Sequence, residues 1–159
     1  MYTKHFDEWN IEKQSLNQEN PKLYPKEREI WNLKLGINVG SEADGKRGFY
    51  RPVLILRKIG SMYLVVPMTS KGKLDSPYYY TLNSIQFHDG KGQPINSSLM
   101  ISHIRTVDVR RFYKHKATLG KEEFETIQKL LQKVYFERSE LFPSSGDEVR
   151  SPKAFVQTV

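Results

Sequence analysis

No cysteine occurs in the chain. That excludes disulfide staples and any zinc or iron–sulfur centre built on thiolates. No apolar run comes near the ~20 residues that a bilayer-spanning helix needs, so a membrane segment is not expected. The opening residues, Met1 to Glu8, hold no apolar stretch of the kind a secretory signal carries. These absences make a reducing cytoplasm the expected setting. Internal repeats and low-complexity tracts are missing as well.

Several chemical signatures are also wanting. The histidines His5, His88, His103 and His115 are scattered, and none stands at ligand spacing with a carboxylate or another histidine. There is no P-loop and no Gly-x-Ser-x-Gly elbow. Gly36, Gly40, Gly45 and Gly48 do not make the Gly-x-Gly-x-x-Gly fingerprint. Neither a metal nor an organic cofactor is expected.

Positive charge is abundant, and it is unevenly placed. Residues 30–136 carry 17 Lys+Arg against 8 Asp+Glu, whereas residues 1–29 carry 5 against 6 and residues 137–159 carry 3 against 4. The excess therefore belongs to the middle, a net of +9, and both ends are slightly acidic. A basic segment with aromatics between its charges suits a polyanion such as nucleic acid. Simple solubility is the alternative reading.

At 159 residues the chain has the length of one domain with some left over. Residues 1–26 read as an extension. Phe6, Trp9, Lys13 and Leu16 fall at helical spacing, which predicts a helix over 7–17 that packs on its own domain. Asn20 and Pro21 break it. From Glu29 the pattern has period two, with Trp31, Leu33 and Leu35 on one side and Ile30, Asn32 and Lys34 on the other. The glycine- and charge-rich residues 36–50 predict a long mobile loop.

Residues 53–56 and 62–68 predict central strands, being apolar on both faces over 53–56 and 64–66. Pro52 stands at the start of the first, where a missing N–H does least harm. Further strands are expected at 78–81, 99–102 and 111–114, with loops at 71–77 and 88–94. A helix begins near Gly120, has Glu122 and Glu123 in its first turn, and carries an apolar stripe of Phe124, Ile127, Leu131 and Val134. It is expected to run past Phe136 towards Leu141, with a disordered tail from Pro143. Five or six short strands and a closing helix predict an antiparallel α+β domain, a small curled barrel.

Three residues at strand ends or in loops could carry chemistry. Arg51 offers a fork of donors that fits two phosphate oxygens and stabilises charge developing on them. The Thr69 hydroxyl can donate to the same phosphate, and Glu42 can take a proton from a sugar hydroxyl as a general base. Together they suffice for RNA cleavage in which the 2′-hydroxyl attacks its own phosphate. Each also has a plain structural reading: Arg51 as a solvated edge charge, Thr69 as a turn residue, Glu42 as a solvated loop carboxylate.

Four ordered blocks carry a resemblance. They are Gly40-Ser41-Glu42, Arg51-Pro52-Val53-Leu54-Ile55-Leu56, Val66-Pro67-Met68-Thr69-Ser70-Lys71 and Ser98-Leu99-Met100-Ile101-Ser102-His103-Ile104-Arg105-Thr106-Val107-Asp108. In order and spacing, over about residues 27–136, they resemble the MazF/PemK family of toxins. The resemblance implies an SH3-like β-barrel with a C-terminal helix over 27–142, to which the N-terminal helical extension over 1–26 and the tail over 143–159 are extra. It implies a homodimeric endoribonuclease of a type II toxin–antitoxin system that cuts single-stranded RNA, often mRNA, without a metal. The family's arginine, threonine and loop glutamate fall on Arg51, Thr69 and Glu42. Ser70, Lys71, Tyr50, Lys73 and Arg105 complete the implied RNA-binding set.

Three differences from family members are visible: the loop between Glu42 and Arg51 is longer than in compact ones, Tyr50 stands where some have histidine, and His103 stands where many have glutamine. A cognate antitoxin with an acidic end is the implied protein partner, fitting the basic middle. The competing reading is a non-catalytic barrel of the same fold that holds RNA or poisons a protein such as a topoisomerase.

Overall fold

The structure, a computed structural model, describes residues 3–137. The expected tail from Pro143 lies outside the described residues. In chain order the elements are α1 (Phe6–Gln18), β1 (Glu29–Lys34), β2 (Tyr50–Ile59), β3 (Met62–Thr69), β4 (Tyr79–Thr81), β5 (Phe87–His88), β6 (Pro94–Ile95), β7 (Ser98–Met100), β8 (Arg105–Asp108), β9 (Phe112–Thr118) and α2 (Lys121–Phe136).

The main sheet runs β4-β7-β3-β2-β1-β9, with β8 also paired to β3, while β5 and β6 form a separate hairpin. Every pairing is antiparallel. Its centre is where continuous apolar runs put side chains on both faces. Leu54, Leu56, Val66 and Ile30 pack on one side with Phe124, Ile127 and Leu131 of α2. Val53, Ile55, Val65 and Leu33 pack on the other, with Val107 of β8 and Phe112 of β9. Each such side chain taken from water contributes roughly 1.5–3 kcal/mol before entropy is counted, so these strands fix the frame on which the polar strand ends are mounted.

The sheet curls without closing. Val107 and Phe112, on two different margins, meet in one apolar cluster, yet the terminal strands β4 and β9 do not pair with each other. The antiparallel α+β fold with its curled sheet is the expected one, and β3 divides its pairing between two strands. Residues 62–65 pair with β8, whereas Met68 and Thr69 pair with β7, so the sheet forks there. β9 forms one margin, with Tyr113, Lys114, His115 and Lys116 exposed.

Other boundaries differ from the sequence reading. Residues 105–108, read as a connection, are the strand β8. Residues 101–103 are a short helical turn instead of strand, because Ile101 is buried and tied at both backbone groups: its N–H donates to the Tyr78 carbonyl at 2.9 Å, and its carbonyl accepts from the Tyr135 hydroxyl at 2.8 Å. α2 starts after Gly120 as expected but ends at Phe136, where Glu137 turns extended (φ −112°, ψ 143°). The β5–β6 hairpin lies inside what reads as a loop.

The extension packs on its own domain through Trp9 and Leu16 of the expected stripe, while Phe6 at its start does not take part. Phe6 is 49% exposed, whereas Trp9 and Leu16 are buried with Ile37. The Trp9 ring lies 5.3 Å from that of Phe49, and the Arg111 guanidinium lies 5.3 Å from the Trp9 ring. Gly36, at φ +87°, makes this seat possible, since a Cβ there would stand 2.1 Å from the indole. Glu12 accepts from Lys34, and Asn17 from Arg110 at 3.3 Å.

Candidate functional site

β2 and β3 pair with Val53 opposite Pro67 and Leu54 opposite Val66. Continued two residues, that register brings Arg51, second in β2, opposite Thr69, last in β3. Both line one cleft of about 230 Å³, together with Ser70, Lys46, Lys116, His88 and others. The lining includes two lysines and an arginine and no carboxylate.

Arg51 is held at two of its nitrogens. Nε donates to the Asp44 carbonyl, and Nη1 donates to the Met68 carbonyl at 2.9 Å, with the Met100 sulfur at 3.8 Å. Among the described residues Nη2 has no hydrogen-bond partner, so two donors remain for a ligand. Burial pushes the Arg51 pKa down and the Asp44 carboxylate partly offsets this. Starting above ~12, the group stays a cation at neutral pH. A half-buried cation with fixed orientation is worth more to an anion than a solvated one.

Thr69 Oγ1 accepts the Lys71 N–H at 3.1 Å. This local turn orients the hydroxyl and leaves its hydrogen free to donate. Ser70 lines the same cleft, while Lys71 and Lys73 are exposed on the following loop. That loop is pressed close at Gly72, where a Cβ would lie 2.3 Å from the Ser98 hydroxyl. Tyr50, next to Arg51 in the chain, does not line the cleft; its ring packs tilted against that of Tyr113, centroids 4.9 Å apart, with the Lys34 ammonium 5.6 Å from it.

Glu42 is elsewhere. Its carboxylate accepts the Val39 N–H at 3.0 Å within its own loop. It lines a neighbouring cleft with His103 and Arg105. Arg105 in turn donates to the Asn38 side chain at 3.3 Å, and His103 Nε2 lies 3.0 Å from the Ser41 carbonyl. So the cleft unites Arg51, Thr69 and Ser70, and a second one unites Glu42 and Arg105.

The loop that brings Lys46 to one cleft and Glu42 to the other is tied by backbone hydrogen bonds. Leu35 and Gly36 N–H donate to the Phe49 carbonyl at 3.0 and 3.2 Å, Gly45 N–H to Gly36 at 2.6 Å, and Lys46 N–H to Tyr50 at 2.8 Å. Gly45 is needed for this closeness, as a Cβ there would stand 1.9 Å from the Phe49 carbonyl oxygen. Sequence reasoning missed Lys46, His88 and Lys116. The first and last were hidden among many lysines, and His88 was set aside because it lacks ligand spacing.

Among the described residues no group of three or more His, Asp or Glu could hold a metal ion, and no helix is long and apolar enough to cross a membrane.

Comparison with known proteins places this geometry. No curated protein matches the sequence significantly. MazF (Form-I) from Deinococcus radiodurans has a similar fold, at 21% identity and TM-score 0.55, over 71% of this chain and 97% of that one. An endoribonuclease in complex with its cognate antitoxin from Mycobacterial species is similar at 12% identity and TM-score 0.50, over 69% and 93%. The toxin MazF-mt6 of Mycobacterium tuberculosis is similar at 16% identity and TM-score 0.50, over 68% and 96%. At these identities the likeness is one of fold. The family model for the PemK-like, MazF-like toxin of type II toxin–antitoxin systems matches residues 26–135, most of the chain and both strand ends of the cleft; the chain belongs to that family of toxins.

Proposed function

We propose that the protein is a toxin acting as an endoribonuclease on single-stranded RNA, mRNA included. The observation that carries this reading is the cleft beside Arg51 and Thr69, lined by three cations without a carboxylate. Such a surface suits a phosphodiester and repels nothing on it. Arg51 Nη2 and the Thr69 hydroxyl bind the non-bridging oxygens of one phosphate and stabilise the charge that grows there.

The 2′-hydroxyl of the preceding nucleotide attacks phosphorus, and the bond to the 5′-oxygen breaks. Products are a 2′,3′-cyclic phosphate and a 5′-hydroxyl, and the net proton movement is from the 2′-oxygen to the 5′-oxygen. Within the cleft His88 is the imidazole that can accept the first proton. Glu42, lining the neighbouring cleft, can serve only if its loop turns towards the phosphate. Catalysis of this kind uses no metal, since arginine supplies the positive charge. Ser70, Lys71, Lys73, Tyr50 and Arg105 hold flanking nucleotides, the tyrosine by stacking.

The same reading includes a homodimer working in the cytoplasm and an acidic antitoxin as partner. The relatives solved in complex with an antitoxin support the partner: MazE–MazF (Form-II) from Deinococcus radiodurans and the Mycobacterial endoribonuclease.

The test is incubation of the purified protein with a mixed single-stranded RNA pool, followed by sequencing of the new ends. Cleavage with 5′-hydroxyl ends is expected, and Arg51→Ala should lower the rate by about 10²–10³-fold while leaving the circular dichroism spectrum unchanged. A folded wild-type protein that leaves the pool whole would overturn the proposal.

A further inference from the structure

Residues 3–25 lie outside the matched residues 26–135, yet they reach the loop that holds Arg51. Lys4 makes that contact. Its ammonium has three N–H donors, and three acceptors meet it: Asp44 Oδ2 at 3.0 Å, the Asn38 carbonyl at 2.5 Å and the Gly40 carbonyl at 3.0 Å. The Lys4 and Asp44 side chains are only 21% and 19% exposed, so salt screens the pair weakly. The other Asp44 oxygen accepts the Asn38 N–H at 2.6 Å.

One ammonium therefore gathers residues 38, 40 and 44 of a single loop. The carbonyl of Asp44 is the acceptor for Arg51 Nε. Trp9, five residues beyond Lys4, seats on Gly36 at the start of that loop, a second and separate tie.

We infer that Lys4 is a positioning residue for RNA cleavage: through Asp44 it fixes the loop carbonyl that aims the Arg51 guanidinium. The inference rests on the endoribonuclease reading above. Because the Lys4 donors are already matched by acceptors inside the loop, the ammonium has none left to contribute to RNA binding. Its removal should misplace Arg51 rather than weaken the hold on substrate. Displacement of a catalytic group by about 1 Å can cost as much as ~10²-fold in rate.

The experiment uses the full chain and the variants Lys4→Met, Asp44→Asn and the double variant, each checked for a cooperative thermal transition. Asp44→Asn keeps the backbone carbonyl and breaks the ion pair, so it serves where Lys4→Met disturbs folding. Two readouts are taken: hydrogen exchange of the amides in 36–49, and steady-state cleavage of a fluorogenic single-stranded RNA. Expected are faster exchange in that loop and a fall in kcat of about tenfold or more, with KM within about twofold. The double variant should lose clearly less than the sum of the two single losses, since both break the Lys4–Asp44 pair.

Unchanged loop exchange, a loss confined to KM, or additive losses in the double variant overturn the inference. A wild type that leaves RNA whole overturns the endoribonuclease reading instead, and loop exchange then decides by itself whether Lys4 holds the loop.

Discussion

The two helices are attached to the same sheet in opposite manners. α2 lays Phe124, Ile127 and Leu131 into the larger apolar cluster, and all three are buried. α1 buries only Trp9 and Leu16. Its remaining ties are polar and specific: Glu12 with Lys34, Asn17 with Arg110, and Arg111 over the indole. α2 is held by area, which any well-shaped apolar face could supply. α1 is held by particular partners, which nothing but this loop and this strand can supply.

The comparison can be strained from either side. Ile127→Ala removes a side chain with no exposed surface and should destabilise the whole domain by about 2–5 kcal/mol, read by urea unfolding. Should the loss be under about 1 kcal/mol, area does not hold α2. Gly36→Ala should act next in size. Its Cβ would stand 2.1 Å from the Trp9 ring at φ +87°, so α1 is evicted from its seat. The expected result is fast hydrogen exchange throughout α1 and exposure of Trp9 to a fluorescence quencher, with the sheet protected and a global loss of about 1–3 kcal/mol. Uniform loss of protection would show that α1 belongs to the main cooperative unit.

Glu123 gives the smallest and finest test, being a polar tie on a helix held mainly by area. Burial alone would raise its pKa, yet hydrogen bonds from the Ser84 hydroxyl, the Asn83 and Ser84 N–H groups and Tyr80 hold it below the usual carboxylate value. A depressed folded pKa means its stabilisation is present above the ordinary glutamate value of ~4.3 and is lost as pH falls through the folded value. Allowing for solvent screening, Glu123→Gln should cost about 0.5–1 kcal/mol at pH 7. The gap from wild type should narrow in thermal melts as pH falls below the ordinary glutamate value, closing once the folded carboxylate is protonated.

The same contrast explains how much could be read in advance. The α2 stripe, the Gly120 start and the central strands were legible because apolar period and burial are one signal: Val53 and Leu54 are both fully buried, on opposite faces. Arg51 and Thr69 were legible as strand-end residues because continuous apolar runs mark β2 and β3, whereas their reading as a pair came from the family resemblance. The ties of the loop 36–49 were not legible, since glycine signals conformational freedom but not the close approach that Gly36 and Gly45 permit. β8 was missed because Arg105 and Asp108 carry charge at both its ends. Glu123 read as a helix-dipole residue, and its capture of residues 83 and 84, 40 positions back, has no local trace.

The open margin of the sheet has a consequence for solubility. β9 pairs with β1 and carries Lys114, His115 and Lys116 exposed along an edge that does not close onto β4. An unpaired edge is a template for another strand, and cations along it oppose the approach of a second copy. Lys116 also lines the Arg51 cleft. One lysine thus guards an edge against aggregation while facing the cleft, and a substitution chosen to weaken binding there would also remove a gatekeeper.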